Sequence, residues 1–141
     1  MWRAPAQARS AAGPNLQITR RVVVDISGKK AVVFGGTSGI GLATCHQLIA
    51  GGAEVVAVSR DPNKAVAGFD GVKRAAVDAR DSDAVSAFFE AEGPIDMLIS
   101  SATGGSRAFG PFLQMDIDGF KSSFDKLWGY SNVVRYGTAQ L

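Results

Sequence analysis

Three features of this 141-residue chain predict an α/β fold, a Rossmann-like parallel sheet with helices packed on it. Strand-like and helix-like stretches alternate along most of the length with short connections. The apolar run Ala31-Val32-Val33-Phe34 breaks directly into a glycine turn and resumes as a helical pattern from Gly39. A second apolar run, Glu54 to Ser59, follows the helix-ending pair Gly51-Gly52 and completes a βαβ unit.

Taken in order, strand one is Ala31 to Phe34, helix one runs from about Gly39 to Ala50, and strand two is Glu54 to Ser59. Asp61-Pro62-Asn63 reads as a helix start or turn, and Val66 and Phe69 mark a short helix or loop. Strand three is Arg74 to Asp78. Asp81 or Ser82 can cap the next helix, where Val85, Phe88 and Phe89 recur at i, i+3 and i+4 as a core-packing stripe. Gly93-Pro94 stops that helix, and Ile95 to Ser100 is strand four. After a glycine-rich loop from Thr103 to Gly110, Asp116 or Asp118 can cap a last helix with Phe120, Phe124, Leu127 and Trp128 on one face. Right-handed crossovers arrange about four strands in the order 3-2-1-4, with a ligand crevice beside the carboxyl end of strand one. This is half of a doubly wound sheet.

Composition narrows the function classes. Hydrophobic residues make up 46% of the chain, enough for a buried core, yet no apolar stretch approaches the roughly 20 residues of a spanning helix, so no membrane partner is expected. The net charge of +2 comes from Arg3, Arg9, Arg20 and Arg21 in an acid-free start; from Asp25 onward 11 basic residues face 13 acidic ones. Without a basic stripe on the folded part, nucleic acid is not an expected partner. The one cysteine, Cys45, excludes an internal disulfide, fits a reducing compartment and reads as a small helix residue facing the sheet. Residues 1–24 are expected to be a flexible extension, or alternatively an organelle transit peptide; residues 25–141 are expected to be the folded domain. The expected location is cytoplasmic, or an organelle matrix if residues 1–24 are a transit peptide.

The chemistry sits at the first turn, where Gly35, Gly39 and Gly41 are spaced GxxxGxG. Backbone N–H groups at residues 38 to 41, together with the positive end of the helix dipole, favour an anion such as a pyrophosphate, and side chains at the three glycines are expected to obstruct it. No lysine follows Gly41, so the turn is not that of a P-loop NTPase.

These residues resemble a family. Asp25-Ile26-Ser27-Gly28-Lys29-Lys30 leading into Ala31 to Gly41 is similar to the N-terminal strand and TGxxxGxG turn of the short-chain dehydrogenase/reductases, with Phe34 where threonine is usual. The likeness is close over residues 25–104 and looser beyond. It implies a dinucleotide site made by Gly35, Thr37, Ser38, Gly39, Ile40, Gly41, Ser59, Arg60, Asp78, Ser101 and Ala102. At the end of strand two an acidic residue would favour NAD(H); Ser59-Arg60 stands there instead and favours NADP(H), unless Asp61 takes the acidic role. Asp78 resembles the family's aspartate that touches the adenine amino group, or is a turn or cap residue. Ser100-Ser101-Ala102-Thr103 falls where the family has Asn-Asn-Ala-Gly, which leaves the inter-strand hydrogen bonds of the lost amides in question.

The family's proton donor is a tyrosine with a lysine four residues on. Here Tyr130 and Tyr136 are followed at that spacing by Val134 and Gln140, so no catalytic residue is assigned and both rings read as packing or interface groups. Lys126-Leu127-Trp128-Gly129 aligns with a family Asn-x-x-Gly, placing a lysine where an asparagine is usual, or else is a surface lysine after a small register shift. His46, the single histidine, has no spacing that supports a metal site.

The resemblance therefore implies an NADP(H)-dependent oxidoreductase acting on a small carbonyl or alcohol, with this chain truncated and inactive alone. The alternatives are a dinucleotide-binding regulatory or partner-pairing module and a fragment without function. Truncation would leave strand four as an open edge and expose Phe124 and Trp128, which favours homo-oligomerisation through the last helix.

Overall fold

The sheet is built from four short, β-branched or small-residue strands, Lys30–Phe34 (β1), Glu54–Ser59 (β2), Lys73–Ala76 (β3) and Met97–Ser100 (β4). The computed structural model describes residues 24–64, 72–103 and 108–141. The expectations for residues 1–23, for Val66 and Phe69, and for the middle of the 103–110 loop lie outside the described residues. All strand pairs are parallel and the order is β3-β2-β1-β4, the order expected from the sequence. Register aligns Phe34 with Val58 on one side and with Ser100 on the other, so these carboxyl ends form one shelf.

Three longer helices, Gly39–Ala50 (α1), Ser82–Glu92 (α2) and Asp125–Gly137 (α4), and the short Ile117–Ser122 (α3) complete the described elements, apart from single 3-10 turns. Because side chains alternate along a strand, β1 and β2 send one set to each face. Val32, Phe34, Val56 and Val58 pack with Val85 and Phe89 of α2 and Val133 of α4. Ala31, Val33, Val55 and Ala57 pack with Cys45 of α1. Both faces are covered, which is why the strands read as continuous apolar runs.

Phe34, the residue in the threonine position, is 1% exposed and forms an aromatic cluster with Phe88 and Phe89, at centroid distances of 5.7 and 5.8 Å. Its place in the turn motif is explained by packing on the α2 side of the sheet. Asp81 rather than Ser82 caps α2, accepting from Asp83 N and Ala84 N. At the opposite end of the sheet, the Glu92 carboxylate binds both Lys30 Nζ and Lys73 Nζ at 2.8 Å. Burial pushes its pKa up, but the two ammonium groups outweigh it and hold the carboxyl below its ordinary value. The outer strand β3 exposes Lys73 and Arg74, charges that discourage pairing of that edge with another strand.

Several boundaries differ from the sequence reading; β1 and β3 each start one residue earlier, at Lys30 and Lys73. Val77 and Asp78 leave the ladder after Val77 N donates to Ser59 O at 3.0 Å, so β3 ends at Ala76. Ile95 bonds to Gln140 O rather than to a strand, so β4 starts at Met97. The expected single last helix is two. Asp116 caps α3 by accepting from Gly119 N, and the chain turns at Ser123-Phe124 before α4.

The buried face of α4 is Gly129, Val133 and Gly137, not the aromatic stripe. Phe124, Leu127 and Trp128 are exposed, at 48%, 57% and 64%. The physical reason is proximity: small residues let the helix backbone approach Phe89 and Ala79, which large ones would prevent. Tyr136 packs against the core on this side. Among the described residues, no helix is long and apolar enough to cross a membrane.

Candidate functional site

The carboxyl ends of the strands open into a cleft of about 720 Å³. All the residues expected to bind the dinucleotide line it except Gly41. The chain reaches this arrangement through the tight turn after β1, where Gly35 adopts φ 79° and donates its N–H to Val58 O at 2.8 Å. Ser38 then takes an extended conformation and α1 begins with no side-chain cap and no acidic residue in its first turn. The amides of that turn thus point at the cleft, with the helix dipole adding a positive potential.

Within the chain itself the three glycines meet different surroundings. A β-carbon on Gly35 would come within 2.7 Å of Ala102 N, and one on Gly41 would collide with Gly35 O and Ser101 Oγ. These two positions are reserved by the chain's own backbone. Gly39 has open space around it and is needed for its φ of 52°. Gly41 is buried behind the turn, and its role is to let α1 seat against the β1 and β4 ends.

On the β4 side, Ser101 N and Oγ both donate to Phe34 O, at 2.8 and 3.1 Å. The Ser101 hydroxyl thus ties the end of β4 to the end of β1. On the β2 side, Ser59 Oγ is buried with no hydrogen-bond partner among the described residues, beside the exposed Arg60. A buried hydroxyl without a partner is costly unless something fills its place. Ser100 Oγ is unpartnered in the same sense. Asp61 accepts from Asn63 N at 3.2 Å within the following turn.

Asp78 forms an Asx turn with Arg80 and chelates its guanidinium, with Nη2 to Oδ2 at 2.7 Å. The Arg80 hydrogen bond holds the Asp78 carboxyl below its ordinary value, and Arg60 contributes through charge. Arg80 also donates from Nη1 to Asp125 Oδ2 at 3.0 Å. Asn132 Nδ2 donates to Ala79 O and Arg80 O, so α4 is fastened to the loop after β3 at two points. Lys126 lines the cleft, and its Nζ lies 5.2 Å from the centre of the Tyr130 ring.

Sequence reasoning missed Arg80, Asp125 and Asn132. The Asp-x-Arg spacing at residues 78–80 was a visible signal for the first, but its partners lie 45 and 52 residues away. Cys45 faces the sheet as expected, and burial pushes its thiol pKa up to about 11. Among the described residues, no group of three or more His, Cys, Asp or Glu could hold a metal ion.

The short chain dehydrogenase family model matches residues 29–138, which takes in every strand, helix and cleft element above. This chain belongs to the short-chain dehydrogenase family. A relative, L-xylulose reductase of Mesocricetus auratus, is 36% identical over 103 residues, covering 71% of this chain and 41% of that protein. The chain therefore spans less than half the length of this relative. A 3-ketoacyl-(acyl-carrier-protein) reductase from Brucella melitensis, solved with NADH, is 27% identical, with a TM-score of 0.71 over 82% of this chain and 50% of that one. A short chain dehydrogenase from Burkholderia cenocepacia J2315, solved with NADP, shares the fold at 23% identity and TM-score 0.73, over 84% of this chain and 50% of that one. For a short-chain dehydrogenase the sheet order and the glycine turn are thus the expected frame.

Proposed function

We propose that residues 25–141 are the cofactor-binding part of an NADP(H)-dependent short-chain oxidoreductase that interconverts a small carbonyl and an alcohol. The observation that carries this reading is at the carboxyl end of β2, where Ser59, whose buried Oγ has no hydrogen-bond partner among the described residues, and the exposed Arg60 line the same cleft. A phosphate on the ribose 2' position suits both, because the hydroxyl can donate and the guanidinium forms charge-assisted bonds. Asp61, the alternative acidic group, already accepts from its own turn. Solved relatives hold NADP in one case and NADH in another, so the preference rests on these residues.

In this reading Thr37, Ser38, Gly39 and Ile40 hold the pyrophosphate, Asp78 the adenine, and Ser101 and Ala102 the second ribose. The bound dinucleotide supplies or accepts a hydride. A single cysteine, buried against the sheet, is in keeping with a cytoplasmic setting. The exposed Leu127, Trp128 and Val134 of α4 support self-association through that helix.

The second reading is a dinucleotide-binding module without turnover, working beside a partner chain. It is favoured by a cation, Lys126, on the cleft wall. Calorimetric titration of the 141-residue chain with NADPH and NADH tests both. Tighter NADPH binding, weakened about tenfold by Arg60→Ala while NADH binding is unchanged, is expected. No binding by a folded chain would sink both readings. With binding established, NADPH consumption in the presence of small aldehydes and ketones separates an enzyme from a binding module.

A further inference from the structure

Two cations of α4 are each seated on a tyrosine ring. Lys126 Nζ lies 5.2 Å from the centre of the Tyr130 ring, and the guanidinium carbon of Arg135 lies 5.7 Å from the centre of the Tyr136 ring. Of the two, only Lys126 lines the cleft. It belongs to the first turn of α4, whereas the glycine turn, Ser59 and Arg60 approach the same cleft from β1 and β2.

The charges of the cleft leave Lys126 uncommitted. The charged side chains lining it are Arg60, Asp61, Asp78, Arg80, Asp125 and Lys126. Asp78 and Asp125 both pair with Arg80, at 2.7 and 3.0 Å, and Asp61 accepts from Asn63 N in its own turn. Among the described residues Lys126 therefore has no carboxylate partner, because the one beside it in sequence is held by Arg80. That bridge also matters for an entering anion: a free Asp125 would hold the lysine or repel the ligand, and pairing with Arg80 weakens both effects. What remains on Lys126 is attraction to a ring face, which is weaker than the charge-assisted bonds an ammonium makes to phosphate oxygens. An ammonium carries three donors on a flexible four-carbon stem, so exchanging the ring for an anion in the same cleft needs only rotation of that side chain.

We propose that Lys126 is a phosphate-binding residue supplied by α4, which leaves the Tyr130 ring for a phosphate group of the bound dinucleotide. The inference rests on the dinucleotide reading above and adds to it a cation from a different wall of the cleft. A lysine that is only a solvated surface charge would affect affinity no more than Arg135, a cation of the same helix with a similar ring contact outside the cleft. A phosphate-binding lysine separates from Arg135 in the same measurement.

The 141-residue chain is titrated with NADPH and NADH at low salt as wild type, Lys126→Gln, Lys126→Arg and Arg135→Gln. Both positions are exposed, so the substitutions leave the core untouched. Lys126→Gln is expected to weaken NADPH binding about fivefold to tenfold, Lys126→Arg to keep most of the affinity, and Arg135→Gln to leave it unchanged. The NADH arm places the contact. A loss confined to NADPH supports the inference with Lys126 on the 2'-phosphate, and an equal loss with both forms supports it with Lys126 on the pyrophosphate. NADPH affinity unchanged in Lys126→Gln, or lowered as much by Arg135→Gln, overturns this inference and leaves the dinucleotide reading standing. A folded wild-type chain that binds neither form overturns both.

Discussion

Gly137 lies directly on Phe89: a β-carbon on Gly137 would stand 2.7 Å from Phe89 Cζ and 2.6 Å from Leu98 Cδ2. The contact brings the last turn of α4 onto the centre of α2 and onto β4, and it depends on the absence of a side chain. Glycine lowers helix propensity by about 1 kcal/mol relative to alanine, so on an exposed helix face the replacement would stabilise. Here overpacking outweighs propensity. Gly137→Ala is expected to destabilise the chain by about 1–3 kcal/mol, read as a lower urea midpoint with an unchanged slope. A variant at least as stable as wild type would show that α4 does not seat this closely.

The glycine turn makes a paired prediction, because Gly35 and Gly39 have different reasons to be glycine. Gly35→Ala meets the backbone of Ser101 and Ala102 as well as a strained φ, and backbone cannot move aside as a flexible side chain can. It is expected to lose stability by more than about 2 kcal/mol whether or not ligand is present. Gly39→Ala meets open space and is strained only by its φ of 52°, costing about 1 kcal/mol. Its methyl group enters the cleft beside the first-turn amides, so the larger effect of Gly39→Ala is expected on NADPH affinity. Thermal unfolding with and without NADPH distinguishes the two; equal ligand-induced shifts in wild type and Gly39→Ala would contradict it.

Cys45 offers a probe of the same interior. It is fully buried between α1 and β1–β2, its Sγ lies 3.5 Å from Gly36 O, and burial raises its pKa to about 11. The thiolate is the reactive form, so at pH 8 both access and ionisation suppress its chemistry. In native buffer a thiol reagent should modify Cys45 only as fast as the chain opens, and in denaturant at once. Rapid stoichiometric labelling of the native chain would mean that α1 is not docked as described.

The sheet was legible in the sequence because its signals are local. Val32, Val33, Val56 and Val58 sit in apolar runs bounded by turn residues, and right-handed crossovers narrow the orders open to four parallel strands. The glycine turn and Ser59-Arg60 were legible for the same reason, being contiguous residues with a known geometric task. The last helices were read less well. Exposure of Phe124 and Trp128 was expected and is found, but the packing of α4 uses its smallest residues, Gly129 and Gly137, and only a partner surface such as Phe89 reveals that. Of the Arg80 bridge only the Asp-x-Arg half was readable, because the other half depends on Asp125 arriving from another element.

That bridge makes the acid side of the stability profile specific. Arg80 holds the Asp78 carboxyl below its ordinary value of 3.8, chiefly through the side-chain hydrogen bond and with burial working against it. A carboxylate with a depressed folded-state pKa contributes stability that is fully present above the unfolded value and is lost as pH falls through the folded one. The contribution should therefore be constant above about pH 5 and decline below pH 3.8 as Asp78 takes up its proton and releases Arg80. Glu92 and Asp96 are shifted in the same direction, so the wild-type profile alone mixes three groups. The informative quantity is the difference between wild type and Asp78→Asn, measured by urea unfolding at each pH. That difference should be flat from pH 5 to 8 and shrink toward zero in more acid solution. A difference that stays constant down to pH 2.5, or that grows as pH falls, would mean that Asp78 is not held by Arg80 in the folded chain.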